Sequence, residues 1–317
     1  MSFGIEDIRA ARERVAPYVF ETPLLRLANL DQYLGCQIYA KAECMQKTGS
    51  FKLRGAMNKL LSLTEEQLQR GVVAVSSGNH GRAVAYAAGL FGFRATVVIP
   101  DTAARVKVNA MRALGAEIIQ CKAEDRYGLA DELCRERGAV LMHPFDDPFI
   151  MAGQGTAGLE LVEQGPAFDA ALVPVSGGGL LSGIATAVKA LSPSTKVYGI
   201  CPEILPHFKL SLEKGKPVSV PQRASVADAL ASRQPGKLTL PVIRQNCDGI
   251  VTVAEDDILR GQKLLLTEGK LLAEPASAIG AVALLAGSLP VSADDRVCLL
   301  ISGGNVGLEQ LARLQEV

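Results

Sequence analysis

The sequence lacks several features that would point to particular classes of protein. It has no tryptophan and three histidines, and aromatic residues make up 5% of its 317 positions. Lys+Arg and Asp+Glu both number 33, so there is no net charge to attract nucleic acid or an anionic membrane. No apolar run is long enough to cross a bilayer, and the first 15 residues contain no secretory signal. We therefore expect a cytoplasmic protein that binds neither nucleic acid nor membrane.

The seven cysteines are irregularly spaced and include no Cys-x-x-Cys pair. Most lie in apolar surroundings, such as Val297-Cys298-Leu299, which is typical of reduced, buried thiols. The three scattered histidines do not complete a ligand cluster with them. The sequence therefore predicts neither a disulfide framework nor a His/Cys metal site.

The chain alternates between short apolar runs and helical stretches from residue 72 onward. Continuous β-branched runs are typical of strands buried on both faces of a parallel sheet, and their alternation with helices indicates βαβ units. The rhythm breaks at 203–244, where prolines concentrate and we expect a long excursion with short helices. We infer two α/β layers with a ligand-binding cleft between them. Strands are predicted at 72–75, 95–100, 117–121, 139–142, 170–175, 196–200, 251–253 and 297–301.

Three of these strands end in loops of small residues, at 76–81, 176–180 and 302–305. The second loop runs directly into a helix, so its bare N–H groups and the helix N-terminus are suited to a phosphate. The stretch 177–183 also imitates a dinucleotide fingerprint, with Glu203 as the acidic ribose partner. However, G-G-G-L-L-S-G lacks the G-x-G-x-x-G spacing, and a dinucleotide site leaves the other two loops unexplained.

Lys52 lies in the segment T-G-S-F-K-L-R-G, where Thr48 to Ser50 resemble the N-cap of a helix. A lysine in the first helical turn faces the positive end of the helix dipole, which lowers its pKa. A reactive lysine, an aromatic neighbour and a phosphate-binding loop together are the components of a pyridoxal-phosphate site.

The chain resembles the threonine dehydratase and serine racemase group of fold-type II pyridoxal-phosphate enzymes over nearly its whole length. The resemblance implies a tryptophan synthase β-like α/β fold, with two three-layer αβα domains and the cofactor in the cleft. It places residues 1–68 and 147–317 in a discontinuous large domain and 69–146 in a small one, and it implies a homodimer or homotetramer. It is carried by QKTGSFKLRGA, SSGNHGRAVAYAA, HPFDDPFIMAGQGTAGLE, SGGGLLSGIA, LLAEPASA and ISGGNVG.

The resemblance also implies roles for single residues. Lys52 matches the lysine that forms the Schiff base with pyridoxal 5'-phosphate, and Phe51 matches the aromatic side chain beside the cofactor. Ser77 matches the hydroxyl on the face opposite the lysine. Asn79 matches the partner of the phenolic oxygen, and Ser302 that of the pyridine nitrogen. The phosphate is expected at Gly177, Gly178, Gly179 and Leu180, and the substrate carboxylate at Ser76, Ser77, Asn79 and His80.

The implied reaction is the dehydration of L-threonine or L-serine to a 2-oxo acid and ammonia. The substrate amine displaces Lys52, Lys52 removes the α-proton, and the β-hydroxyl leaves with proton help from the cofactor phosphate. The aminoacrylate that is released then hydrolyses. A hydroxyl such as Ser302 does not hold a proton on the pyridine nitrogen, which favours prompt loss of the β-substituent over a long-lived carbanion.

Three other activities remain open. Serine racemization requires an acid on the second face, which Ser77 supplies, although HPFDDPFIMAGQGTAGLE looks more like the dehydratases. Arg126 matches a position where an arginine meets a second substrate carboxylate, so threo-3-hydroxyaspartate is a candidate substrate. The third possibility is that the chain is a paralogue that binds the cofactor without catalysing a reaction.

Two expectations concern regulation. Racemase-like relatives bind a divalent cation through a Glu and an Asp six residues later, and here Glu203 is followed by Lys209. An ammonium cannot ligate a metal, so no tight magnesium site is expected, and Lys209 is expected to supply the positive charge. Because the chain stops soon after the final glycine loop, no C-terminal regulatory domain and no feedback control by isoleucine are expected.

Overall fold

The computed structural model describes residues 3–317, which form two β-sheets with helices packed on both faces. The ten strands are β1 (Leu24–Arg26), β2 (Gln37–Lys41), β3 (Val72–Val75), β4 (Ala95–Pro100), β5 (Glu117–Cys121), β6 (Val140–Leu141), β7 (Ala170–Pro174), β8 (Lys196–Pro202), β9 (Gly249–Val253) and β10 (Arg296–Leu300). The larger sheet has the order β1-β2-β10-β7-β8-β9, and the smaller has the order β5-β4-β3-β6.

The helices connect these strands and cover both sheets. They are α1 (Ile5–Val15), α2 (Asp31–Leu34), α3 (Lys52–Leu60), α4 (Glu65–Arg70), α5 (Asn79–Leu90), α6 (Arg105–Ala113), α7 (Arg126–Arg137), α8 (Pro148–Gln164), α9 (Gly179–Leu191), α10 (His207–Lys214), α11 (Thr239–Asn246), α12 (Ile258–Thr267), α13 (Pro275–Leu285) and α14 (Leu308–Ala312).

Strand pairing is parallel throughout the described chain, except that β1 runs antiparallel to β2. The apolar runs explain this arrangement. All four residues of β3 are buried, because Val72 and Ala74 face one helical layer while Val73 and Val75 face the other. A strand enclosed on both sides needs apolar residues at every position, which is the pattern of a parallel α/β sheet.

Each sheet is the middle of three layers. On the small sheet, α3, α5 and α6 contribute to one core cluster and α7 to the other. On the large sheet, α12 and α13 pack on one face, and α8, α9 and α11 pack on the other. The predicted two-domain α/β fold is confirmed. The strands of the small sheet fall inside the predicted range 69–146, but the domain boundaries themselves stay a prediction.

The excursion at 203–244 contains α10 and the start of α11, as expected for a segment of short helices. Among the described residues, no helix combines the length and the apolar character needed to span a bilayer.

Candidate active site

Most of the predicted site residues follow β3, β7 and β10, and hydrogen bonds connect the Lys52 segment to the loop after β10. Ser50 forms a β-bridge with Gly303, and the N–H of Phe51 donates to the carbonyl of Ser302 at 3.0 Å. The N–H of Gly304 donates to the carbonyl of Gly49 at 2.9 Å. These bonds bring Lys52 and Ser302, which are 250 positions apart in the sequence, into one site.

Lys52 is the first residue of α3, as predicted. The predicted N-cap is wrong, because Phe51 occupies the cap position without a side-chain bond, and the hydroxyls of Thr48 and Ser50 have no partner within residues 3–317. The physical reason is that the main chain of Ser50 pairs with Gly303 in a β-bridge, so the chain becomes helical only at the next residue, Phe51, which has no polar side chain to cap the helix.

The Lys52 ammonium donates to the carbonyl of Pro144 at 2.6 Å, and it lies 5.1 Å from the centre of the Phe51 ring. Burial lowers the pKa of Lys52 to about 8, and the Glu274 carboxylate opposes part of that shift. A buried ammonium loses hydration that one carbonyl cannot replace, so the neutral amine becomes accessible near neutral pH. A neutral amine is the form that reacts with an aldehyde and accepts a proton.

A buried ion cluster, which sequence reasoning missed, anchors the helix that carries Lys52. The Arg54 guanidinium is fully buried and binds Glu43 through two bonds of 2.8 Å. On its other side it donates to Glu160 of α8 at 2.7 Å, and Glu160 also accepts from Lys41 at 2.6 Å. The signal in the sequence is three charged residues, Lys41, Glu43 and Arg54, close to an apolar strand and helix, but their partner Glu160 lies 106 positions from Arg54.

The glycine loop after β7 forms a row of unpaired donors. The backbone N–H groups of residues 177–180 have no hydrogen-bond partner among residues 3–317, although all four residues are buried. Gly178 has φ +99°, and a Cβ there would lie 2.6 Å from the Phe208 ring. A Cβ on Gly177 would lie 2.2 Å from the Phe145 ring. Buried, unpaired donors at the start of a 13-residue helix are suited to an anion.

Asn79 lies at the start of α5 in a network of four side chains. Its Nδ2 donates to both Glu274 oxygens at 2.8 and 3.0 Å, and its Oδ1 accepts from Asn305 at 2.7 Å. Arg82 donates to the other end of Asn305 at 2.7 Å. Both Glu274 oxygens are within hydrogen-bond distance of the one amide nitrogen of Asn79, so a single N–H can donate to both of them. The second N–H of that amide remains for a ligand.

Glu274 is a further group that sequence reasoning missed, although it lies in the quoted segment LLAEPASA. Burial raises its pKa to about 7, and the hydrogen bond from Asn79 opposes the shift. Lys52 and Glu274 therefore have pKa values that converge from opposite sides of neutrality, which is characteristic of sites that move protons.

Ser302 follows β10, and its hydroxyl lies 3.0 Å from that of Ser277 on α13. Both side chains are buried. The Ser277 hydroxyl also bonds to the carbonyl and the N–H of Gly303, each at 2.8 Å. Ser277 lies in the same quoted segment as Glu274, but nothing in the local pattern indicates that its helix meets the loop after β10.

The loop after β3 leads directly into α5. Ser76 and Ser77 are half-buried, and the hydroxyl of Ser76 accepts from the N–H of Gly78 at 3.2 Å. The His80 ring bonds through Nε2 to the carbonyl of Met142 at 2.7 Å, while Nδ1 is buried without a partner among residues 3–317. Burial lowers the pKa of His80 to about 3, and the charge of Lys52 adds to the effect. The ring is therefore neutral, with Nδ1 as an acceptor.

Residues 15–303 match the family described as pyridoxal-phosphate dependent enzyme. The chain belongs to this family. It is similar to the serine racemase of Dictyostelium discoideum, with 40% identity over 98% of this chain and 97% of the relative. It is also similar to the L-threo-3-hydroxyaspartate ammonia-lyase of Saccharomyces cerevisiae, with 39% identity over 97% of this chain and 95% of the relative.

The crystal structure of the serine racemase from Dictyostelium discoideum superposes with a TM-score of 0.90 at 41% identity, covering 96% of this chain and 98% of that one. The crystal structure of a T.th. threonine deaminase superposes with a TM-score of 0.91 at 44% identity, covering 96% of this chain and 99% of that one.

As a member of the pyridoxal-phosphate dependent enzyme family, the protein uses pyridoxal 5'-phosphate, and its residues fit that cofactor. The four unpaired N–H groups at 177–180 offer the donors that a phosphate requires, and the desolvated amine of Lys52 offers the nucleophile for its aldehyde. The bound cofactor supplies an electron sink next to the substrate α-carbon.

Two further expectations from the sequence concern residues outside the hydrogen-bond networks described above. Arg126 begins α7 after β5, at the same edge of the small sheet as residues 76–80, and its Nε donates to the carbonyl of Ala123 at 2.8 Å. Glu203 and Lys209 are both exposed, and the described chain contains no ion pair between them. The idea that Lys209 supplies a charge to Glu203 thus gains no support, and the absence of a magnesium site stays a prediction.

Proposed function

We propose that this pyridoxal-phosphate dependent enzyme is an ammonia-lyase that dehydrates L-threonine and L-serine to 2-oxobutanoate or pyruvate and ammonia. The observation that carries the proposal is the Lys52 amine. It begins α3 at the cleft, its pKa is lowered to about 8, and it lies against the Pro144 carbonyl and the Phe51 ring. Such an amine both attaches the cofactor and removes an α-proton near neutral pH.

The substrate carboxylate is proposed to bind at the start of α5. In this first turn the N–H groups of residues 79–81 lack helical partners, and the hydroxyls of Ser76 and Ser77 lie beside them. Because the neutral His80 ring donates to Met142, His80 would contribute its main-chain N–H rather than its side chain. A carboxylate at a helix N-terminus is stabilised by the helix dipole and by these donors.

Each matched residue then has a proposed task. Lys52 would hold the cofactor and accept the α-proton, and Phe51 would pack beside the ring. Asn79 would use its remaining N–H for the phenolic oxygen, and Ser302 would bond to the pyridine nitrogen. The N–H groups of Gly177, Gly178, Gly179 and Leu180 would bind the phosphate.

Serine racemization is a second candidate function. The observation that favours it is the Ser77 hydroxyl, which is half-buried beside the carboxylate loop and has no hydrogen-bond partner among residues 3–317. A free hydroxyl there would be available to protonate the second face of the substrate. One 40% identical relative is a serine racemase, and we treat racemization as a side activity of the same site.

Acceptance of threo-3-hydroxyaspartate is a third proposal, carried by Arg126. Its half-buried guanidinium uses one N–H for its own loop and retains four others, which is enough for a second carboxylate. Arg126→Ala should reduce the turnover of L-threo-3-hydroxyaspartate relative to L-threonine. An unchanged ratio between these two substrates would remove this proposal.

The experiment that separates the three activities measures 2-oxo acid and ammonia from L-Ser, L-Thr, their D-isomers and the 3-hydroxyaspartates. A parallel chiral assay measures D-serine formed from L-serine. We expect 2-oxo acid and ammonia in equal amounts, with L-Thr and L-Ser as the best substrates. D-serine as the main product from L-serine would replace dehydration with racemization.

A further inference from the structure

His207 is a buried histidine whose two ring nitrogens both face carbonyl oxygens. Its Nδ1 lies 3.0 Å from the carbonyl of Leu205, and its Nε2 lies 2.8 Å from the carbonyl of Ser176. The side chain is fully buried at the first position of α10. Neither carbonyl accepts another hydrogen bond from residues 3–317, so the ring is the partner of both oxygens.

The two carbonyls together require more protons than a neutral ring has. A neutral imidazole has one N–H and one lone pair, whereas a carbonyl oxygen can only accept. In the neutral ring, one nitrogen lone pair would therefore face a carbonyl oxygen at hydrogen-bond distance without a proton between them. Only the imidazolium has a proton for each carbonyl, and its charge strengthens both bonds.

The carbonyl of Ser176 belongs to the first peptide unit of the glycine loop after β7. In a trans peptide the C=O and the N–H point in opposite directions, and residues 3–317 include no cis peptide. Because His207 holds this carbonyl on the side of α10, the N–H of Gly177 points away from α10. The next peptide is held in the same way, since the carbonyl of Gly177 accepts from the Thr239 hydroxyl at 2.7 Å and from the N–H of Gly236 at 3.2 Å.

We infer that His207 is a positioning residue for the cofactor phosphate and that it becomes an imidazolium when the glycine loop binds that phosphate. This inference rests on the proposed placement of the phosphate at residues 177–180. A phosphate monoester carries close to two negative charges near neutral pH. The positive ring would then lie behind the peptide that donates to the anion, and each charge would stabilise the other.

Two effects favour the neutral ring in the apoprotein. Burial lowers the pKa of His207, and the bonds to the two carbonyls oppose that shift without cancelling it. The ring also lies at the first position of α10, where the positive end of the helix dipole disfavours a cation. A phosphate in the adjoining loop opposes both effects, so its binding should be coupled to the uptake of a proton by His207.

Other ionisable groups on the surrounding elements do not replace this effect. Burial raises the pKa of the Cys201 thiol on β8 to about 12, so that thiol stays neutral. The Asp146 carboxylate accepts from the N–H groups of Lys237 and Leu238 before α11. Strand β9 carries no charged residue. The remaining charged groups of α10 and α11 are exposed: Lys209, Glu213, Lys214 and Arg244.

The test is ¹⁵N NMR of protein labelled at histidine, because the ring nitrogens of an imidazolium and of a neutral imidazole differ in chemical shift. The chain has three histidines, so the spectrum of His207→Gln assigns the signal of His207. We expect a neutral His207 in the apoprotein at pH 7. Addition of pyridoxal 5'-phosphate should raise the midpoint of its titration by about one pH unit or more.

His80 is the control within the same spectrum. It is also buried, but one ring nitrogen bonds to a carbonyl and the other has no partner among residues 3–317, so its neutral form satisfies its surroundings. Its signal should remain that of a neutral ring with and without the cofactor.

Cofactor affinity is the second readout. Glutamine at position 207 has two N–H groups and no charge, so His207→Gln should weaken the binding of pyridoxal 5'-phosphate by about tenfold at pH 6, and by less as the pH rises. Pyridoxal, which lacks the phosphate, should bind equally to the variant and the wild type. Ser211→Ala is the matched control, since the Ser211 hydroxyl is buried on α10 and bonds only to the main chain of His207 and Val218. It should leave both affinities unchanged.

A His207 ring that stays neutral at pH 6 in wild-type enzyme loaded with the cofactor overturns the inference. Equal losses of affinity for pyridoxal and pyridoxal 5'-phosphate in His207→Gln overturn it as well, because the ring would then not act through the phosphate. If His207→Gln does not fold, spectra of His80→Gln and His143→Gln identify the remaining signal as that of His207.

These results are separate from that of the proposed function. A neutral His207 in a loaded enzyme that releases ammonia from L-threonine refutes only the role of His207. An imidazolium in a loaded protein that releases no ammonia from any hydroxy amino acid refutes only the dehydration.

Discussion

At the scale of single residues, burial shifts the pKa values of two site residues, Lys52 and Glu274, in opposite directions. Loss of hydration lowers the pKa of Lys52 to about 8 and raises that of Glu274 to about 7. Both shifts favour the neutral form, because a buried charge lacks the solvation that water provides. The two residues lie in separate motifs, and their convergence appears only in the folded chain.

The lowered pKa of Lys52 predicts how the apoprotein takes up its cofactor. An amine attacks an aldehyde only in its neutral form, so the rate of covalent attachment should rise with pH through about 8 and level off above it. Stopped-flow absorbance at a series of pH values measures this rate. A midpoint near the ordinary lysine value of 10.5 would contradict the account. Lys47→Ala should keep the profile of the wild type, and Lys52→Ala should abolish attachment.

The raised pKa of Glu274 predicts a pH-dependent stability difference. The folded state binds the Glu274 proton more tightly than the unfolded state, so ionisation destabilises the fold as pH rises from 4.5 to about 7. Glu274→Gln cannot ionise and keeps an acceptor for Asn79. The apoprotein variant should therefore gain about 2–3 kcal/mol of unfolding free energy over the wild type at pH 8, and none below pH 4.5.

Urea unfolding of both apoproteins at pH 4.5 and pH 8 measures this difference. Glu13→Gln is the control: it removes an exposed carboxylate and should change the unfolding free energy only slightly, by the same amount at both pH values. A Glu274→Gln difference that does not depend on pH would show that Glu274 titrates normally.

At the scale of elements, α3 and α9 position the chemistry. Helix α3 places Lys52 at its first position, and the buried Arg54 cluster fixes that helix against α8 and β2. Helix α9 begins at the glycine loop after β7, where its first N–H groups have no partner in the described chain. Each element can be tested with a substitution that leaves its other parts intact.

Arg54→Lys keeps the charge and loses the planar fork that binds Glu43 and Glu160 at once. Because it leaves buried carboxylate oxygens without donors, it should lower the unfolding free energy by about 3 kcal/mol. Arg9→Lys alters an ion pair in which both side chains are more than half exposed, and it should change stability by less than about 0.5 kcal/mol. Equal effects in chemical denaturation would show that the cluster adds nothing to the stability of α3.

Gly178→Ala should weaken cofactor binding by roughly tenfold or more, because its Cβ would meet Phe208 and Thr239 and displace the donors of the loop. Gly215 offers a matched control, since it also has a positive φ, of 66°, and a Cβ added there would have no heavy atom within 4 Å. Gly215→Ala should cost stability and leave the affinity for pyridoxal phosphate unchanged. Fluorescence titration measures both affinities, and equal losses would contradict the role of the loop.

At the scale of the whole molecule, the sequence predicted local structure better than it predicted contacts. Strands Val72–Val75, Ala95–Pro100 and Glu117–Cys121 have the bounds expected from the sequence. In the first two, burial on both faces leaves a strong local pattern, whereas Glu117–Cys121 is a partly exposed edge strand. No local pattern in the sequence predicts that β10 lies between β2 and β7, because this pairing joins segments that are far apart in the chain.

The same limit applies to the site. Lys52, Asn79 and the loop at 177–180 lie within short motifs, so the sequence alone indicates them. Pro144, Ser277, Glu274 and Asn305 act through partners that are 25 to 226 positions away, and only the fold shows those pairs. The proposed oligomer and the cytoplasmic location stay predictions.

The measurement that tests the central claim most directly is the release of 2-oxo acid and ammonia from L-threonine and L-serine by cofactor-loaded enzyme. The account predicts both products in equal amounts, and none from Lys52→Ala loaded with the same cofactor. A wild-type protein that carries covalently attached pyridoxal phosphate at Lys52 and yet releases no ammonia from any hydroxy amino acid would contradict it.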